Sequence, residues 1–146
     1  MRFIAVFDTK EITADYLNAN MSSGDFELRD SEINGILDLD MASGDVRFID
    51  TTAHTLKSDI SSGKLNATNF VTESVTSRSA SGDITLYIVG NPEEYAVEID
   101  LASGHALIEG EGVSVRSDSD LSWGGGSKNI YCKNSSGDIK IYFINI

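Results

Sequence analysis

The chain has 146 residues, with 11 Lys plus Arg against 23 Asp plus Glu, and a formal net charge of -12. That length sets a single domain, residues 1–146, as the starting expectation. So acidic a surface speaks against nucleic acid and anionic membranes, which need clustered cations. It leaves basic partners and divalent cations open.

The first ten residues, MRFIAVFDTK, hold one basic residue, a short alternating apolar stretch and then polar side chains. This is not the layout of a secretory signal peptide. RFIAVF reads instead as the strand that follows an earlier corner. The chain is therefore expected to start partway into a repeat of a longer protein. No apolar run approaches the length of a membrane span, so direct membrane insertion is not expected.

The dominant pattern opens with MSSGDFEL at 21–28. It returns as MASGDVRF at 41–48, ISSGKLNA at 60–67, SASGDITL at 79–86, LASGHALI at 101–108 and NSSGDIKI at 134–141. The glycines Gly24, Gly44, Gly63, Gly82, Gly104 and Gly137 are 20, 19, 19, 22 and 33 residues apart. A period near 20 marks a stacked repeat architecture. Serine precedes every glycine, and a small residue precedes every serine. Two and four positions after glycine the residues are apolar in all six repeats, and so are those seven before it. Period-two alternation on both sides of the corner means a strand before it and a strand after it, each with one inward face.

Hairpins and coils both supply two strands per 20 residues. Sameness decides between them. In a coil each residue lies on its equivalent one tier away, about 4.8 Å distant, and like side chains stack on like. An antiparallel meander brings no equivalent positions together. The expected fold is all-β, a single-stranded parallel β-helix or β-solenoid of six to seven coils with about 20 residues per coil. Glycine gives the corner a backbone conformation that a side chain opposes. The residues that follow it, Asp25, Asp45, Lys64, Asp83, His105 and Asp138, suit turn amides, with Lys64 and His105 interrupting a carboxylate column.

Two excursions break the period. IVGNPEEY at 88–95 reads as a turn at Asn91-Pro92. Residues 109–129, EGEGVSVRSDSDLSWGGGSKN, hold the extra length of the last interval, together with Trp123, Asp118 and Asp120. They are expected to form a loop or hairpin leaving the stack. It would carry binding through those three residues, or cap the core with Trp123 as its lid. The final segment, DIKIYFINI, reads as a strand at an open solenoid end. Such an edge could pair with another copy, end to end or edge to edge.

The Ser-Gly-Asp-apolar-x-apolar coils, with a glycine-rich stretch before a terminal SSGDIKIYF, resemble the bacterial adhesin-like families of unknown function. These include the head-domain adhesin-like group. The resemblance covers essentially the whole chain. It implies a β-helix fold, a place in the cell envelope or on the cell surface, protein or glycan partners, and no catalytic residues to carry over. Members usually have a longer N-terminal part, often with a signal or membrane segment.

Direct chemistry finds little support. The corner aspartates recur with the fold, and the corner explains them; calcium is the one cation they suggest, without any calcium-loop motif. His54 and His105 fall in different repeats. Cys132, the single cysteine, falls on an inward column, so no zinc set, Cys-His pair or disulfide is expected. The sequence thus favours a non-enzymatic surface module. A self-assembling scaffold is the alternative, and a carbohydrate-active enzyme with paired carboxylates stands behind both.

Overall fold

The computed structural model describes residues 2–3 and 7–144, with side chains from residue 11 onward. The described strands are β1 Arg2–Phe3, β2 Phe7–Lys10, β3 Thr13–Met21, β4 Phe26–Arg29, β5 Glu32–Ser43, β6 Val46–Ile49, β7 Thr52–Ser62, β8 Leu65–Ser81 and β9 Ile84–Val89. After a short 3₁₀ turn at Pro92–Glu94 follow β10 Tyr95–Leu101, β11 Ala106–Gly110, β12 Val113–Ser117, β13 Leu121–Gly124, β14 Lys128–Ser136 and β15 Ile139–Ile144. The protein is all-β and β-solenoid-like.

Strands before a Ser-Gly corner form one wall and strands after it form the other. β8 runs through both and joins them into one continuous open sheet. Pairing between tiers is parallel and in column apart from bulges in β5, between Ile33 and Ile36, and in β8, between Ala67 and Phe70. Leu17 lies on Leu37, Leu37 on Leu56 and Leu56 on Val75 in the first wall. In the second, Phe26 lies on Val46, Val46 on Leu65 and Leu65 on Ile84. The inward columns are buried, and Phe26, Phe48 and Phe70 add an aromatic run through the core. Burying each such side chain contributes about 1.5–3 kcal/mol.

Each Ser-Gly corner has a glycine at positive φ, from 99° at Gly24 to 134° at Gly63. The corners also bond to each other: the amides of Gly44, Gly63 and Gly82 donate to the carbonyls of Ser62, Ser81 and Ser136. Opposite them lies a second set of corners. Asp30, Asp50 and Asn69 sit there in the left-handed region, with φ of 48°, 50° and 51°. Their short polar side chains tolerate that conformation, and Asn69 Nδ2 donates to Asp50 Oδ1 at 2.8 Å.

The stacking order departs from the sequence order. Beyond β8 the first wall continues with β14, then β10: Val75 lies on Ile130, and Ile130 on Val97. Beyond β9 the second wall continues with β15, then β11: Ile84 lies on Ile139, and Ile139 on Ala106. The last repeat of the chain is thus inserted between the fourth and fifth. The 88–95 excursion makes this possible. Its extra residues carry the chain from β9 to β10 past a slot one strand wide in each wall, and Gly90 N donates to the carbonyl of Ile144 at the slot's rim.

Three expectations are corrected by this order. The terminal segment is no edge, because β15 is paired on both sides. Residues 109–129 do include a hairpin, as expected, but they do not leave the stack. They turn back at 110–113, run antiparallel along β11 as β12, then antiparallel along β10 as β13, and close the end of the core. At the N-terminus, Arg2–Phe3 pairs with β3, which precedes a corner, while Phe7–Lys10 pairs with β4, which follows it. Arg2–Phe3 and Phe7 thus lie on different walls, so RFIAVF is not a single strand following a corner; residues 4–6 lie outside the described residues. A scaffold joined through its ends would use β1 and β2 at one end and β12 and β13 at the other, each paired on one side only among the described residues.

Candidate binding groove

The three sequence candidates go to three different tasks. Asp120 Oδ1 accepts the amide of Leu101 at 2.8 Å and so pins the returning chain to β10. Trp123 lies opposite Val97 and packs against Phe143, ring centroids 6.4 Å apart. It is a half-buried cover on the core, the lid of the capping reading. Asp118 faces outward on the other wall, where its Oδ1 meets His105 Nδ1 at 2.6 Å. Asp118 and Trp123 line different grooves.

The corner aspartates are engaged by the backbone. Asp25, Asp45, Asp83 and Asp138 each accept, through Oδ1, the amide of the residue one tier along: Asp45, Lys64, Asp138 and His105. Among the described residues no group of three or more His, Cys, Asp or Glu is placed to hold a metal ion. His54 pairs with Glu73 at 2.7 Å, far in sequence from His105. Cys132 is fully buried, and burial pushes its thiol up to about 12, which leaves no thiolate for chemistry near neutral pH.

What regular faces build is a groove of about 540 Å³ on the outer side of the second wall. Its floor is Leu107. Outward positions three after the corner glycine are otherwise Glu27, Arg47, Asn66, Thr85 and Lys140, so Leu107 is the one apolar member of a polar column. Pairing sets Lys140 on one side of Leu107 and Arg116 on the other. One step along the strands, Tyr142 lies beside Glu109. Tyr142 also stacks on Tyr87, with centroids 4.7 Å apart and planes 11° from parallel. That separation equals the strand spacing of about 4.8 Å, so the rings stack along the axis of the solenoid. One face of Tyr142 is covered by Tyr87, and the other turns toward β11 and the groove.

His105 and Asp118 stand at the groove's end, both largely exposed. The hydrogen bond that His105 donates to Asp118 raises the His105 pKa above its ordinary 6.5, with the charges of Asp118 and Asp138 adding to it. A raised value means that the pair's stabilising contribution is full below the unfolded pKa and is lost as pH rises through the folded one. We expect the imidazole to titrate above 6.5 in an NMR pH series, and Asp118→Asn to bring its midpoint down. An unchanged midpoint in that variant would dissolve the pair.

Sequence reasoning passed over Tyr87, Leu107, Arg116, Lys140 and Tyr142, all of which lie on regular strands. The one signal was Leu107, out of place in its column.

No curated protein and no solved structure matches the chain. The sequence profile of one family does, over residues 7–142. That span takes in every Ser-Gly corner, nearly all of the inserted last repeat and both returning strands: the chain belongs to the Toastrack DUF4097 family, a domain of unknown function.

Proposed function

We propose that the protein is a non-enzymatic, adhesin-like module of a bacterial cell-envelope or surface protein. It is built as a single-stranded parallel β-solenoid of six to seven coils, and it binds a protein or glycan partner through the outer face of the second wall. The observation that carries this reading is the Tyr87–Tyr142 stack, an aromatic pair held beside a groove on a rigid sheet. Aromatic rings present large contact area at small entropic cost, and a rigid sheet holds them in place before the partner arrives. The acids serve the frame: the corner carboxylates hold backbone amides, and Asp120 holds the cap.

A panel of cell-surface glycans and envelope peptides, read by thermal shift and confirmed by calorimetry, tests the reading. A partner is expected whose affinity falls at least about tenfold in Tyr142→Ala, the loss of one aromatic anchor, while the variant's circular dichroism stays native. Binding indifferent to Tyr142 and Tyr87 together would place the partner elsewhere and overturn the proposal.

A further inference from the structure

We propose that the groove over Leu107 is a site for an acidic saccharide, a pyranose ring that carries a carboxylate. This rests on the reading of the second wall as the binding face and names the ligand class for it. The argument is an account of which groups in the groove are already engaged. Asp118 is taken by His105, and Asp138 by the His105 amide. Arg116 and Lys140, by contrast, stand in no ion pair among the described residues. Arg47, Lys57, Lys64 and Arg78 also stand in no ion pair among the described residues; what is particular to Arg116 and Lys140 is that they flank one apolar side chain in a groove.

The geometry fits one ligand chemistry. Lys140 and Arg116 are each one strand from Leu107, so they bracket a span of about 10 Å. A guanidinium on one bank takes a carboxylate in two parallel hydrogen bonds, and the ammonium opposite adds a point charge. The Tyr142 ring, on the groove's bank, offers apolar surface to the C–H face of a sugar ring. Glu109, beside it, accepts hydrogen bonds from hydroxyls. Long polyanions are disfavoured by the acidic surroundings. An extended peptide would be recognised by a free strand edge; the floor and the Tyr142 bank belong to strands paired on both sides, and the groove's one free edge among the described residues, that of β12, lies on the side away from Leu107.

Calorimetry of the full chain, in EDTA at low salt, distinguishes the outcomes with trigalacturonate and its fully methyl-esterified, neutral counterpart. The acid form is expected to bind at least about tenfold more tightly than the ester, the effect of one charge-assisted contact. Arg116→Ala should abolish that preference. Tyr142→Ala should weaken both forms, and Arg47→Ala, on the same wall but away from the groove, should change neither. Equal affinity for acid and ester overturns the proposal, as does binding that survives Arg116→Ala and Tyr142→Ala, or no binding of the acid form at millimolar concentration. A different partner from the wider panel that still depends on Tyr142 would leave the binding face standing and remove only the acidic saccharide.

Discussion

Gly63→Ala is expected to destabilise the fold by about 3–5 kcal/mol, the sum of left-handed backbone strain and an overpacked contact. For a domain of this size that lowers Tm by roughly 10 °C or more. Gly63 has φ of 134°, and a Cβ built there would come within 1.7 Å of the Gly44 carbonyl oxygen. That oxygen is backbone in the adjoining tier. It moves only if the two tiers part, which stretches the bond from Gly44 N to Ser62 O at the same corner. The contact is also passed along, since a Cβ on Gly82 would meet the Gly63 oxygen at 1.8 Å. The matched control is Gly125→Ala. Nothing lies within 4 Å of a Cβ there, and its φ is not positive, so the change should stay within about 0.5 kcal/mol of wild type. Equal melting temperatures for Gly63→Ala and wild type would mean that the corners do not stack through their glycines.

The corners were legible because stacking imposes one residue class on each column. Once Gly24, Gly44 and Gly63 must pass over one another, every tier repeats the solution, and the repetition shows in the sequence. Inward alternation was legible for the same reason, even where the inward residue is Ser58 or Ser77: both are buried, and they lie in register between Leu39 and Cys132. The opposite corner was readable too, six residues after the glycine, as Asp30, Asp50 and Asn69. It is quieter because Asx residues also occur in ordinary loops.

Stacking order was not legible, and the reason is physical. After glycine the fourth, fifth and last repeats offer Ile84, Ala106 and Ile139 to the same column, and any two make acceptable neighbours. Only the length of 88–95 hinted that the chain had two strand spacings to cover. The groove inherits that opacity. Tyr87 and Tyr142 are 55 residues apart and meet only because β15 lies against β9. Arg116 reaches Leu107 only because β12 folds back on β11. Irregular segments drew attention to Asp118 and Trp123, whereas the groove is made largely by regular strand faces brought together out of order.

Deleting residues 128–146 is expected to abolish cooperative folding, and this is the sharpest consequence of the inserted repeat. If the repeats stacked in sequence order, the deletion would trim an end layer and leave a shorter, still cooperative stack. In the observed order it empties the interior. Ile130, Cys132, Ile139, Ile141 and Phe143 are all buried. Core truncations cost about 2–5 kcal/mol per large side chain, and several together match the whole 5–15 kcal/mol of a typical domain. The deletion also strips β8 and β9 of partners on one side and β10 and β11 on the other, leaving unpaired backbone facing an empty slot. The walls cannot simply close over it, because Tyr95 ties β10 at its present height: its hydroxyl donates to the Thr72 carbonyl at 2.9 Å. Ile141→Asp probes the same point without shortening the chain. A carboxylate at a fully buried position should cost more than about 4 kcal/mol, whereas Val113→Asp, on the half-exposed edge strand β12, should cost far less. Urea denaturation followed by circular dichroism and tryptophan fluorescence reads all three variants. A deletion variant with a single native-like transition, or Ile141→Asp no worse than Val113→Asp, would return the last repeat to the end of the stack.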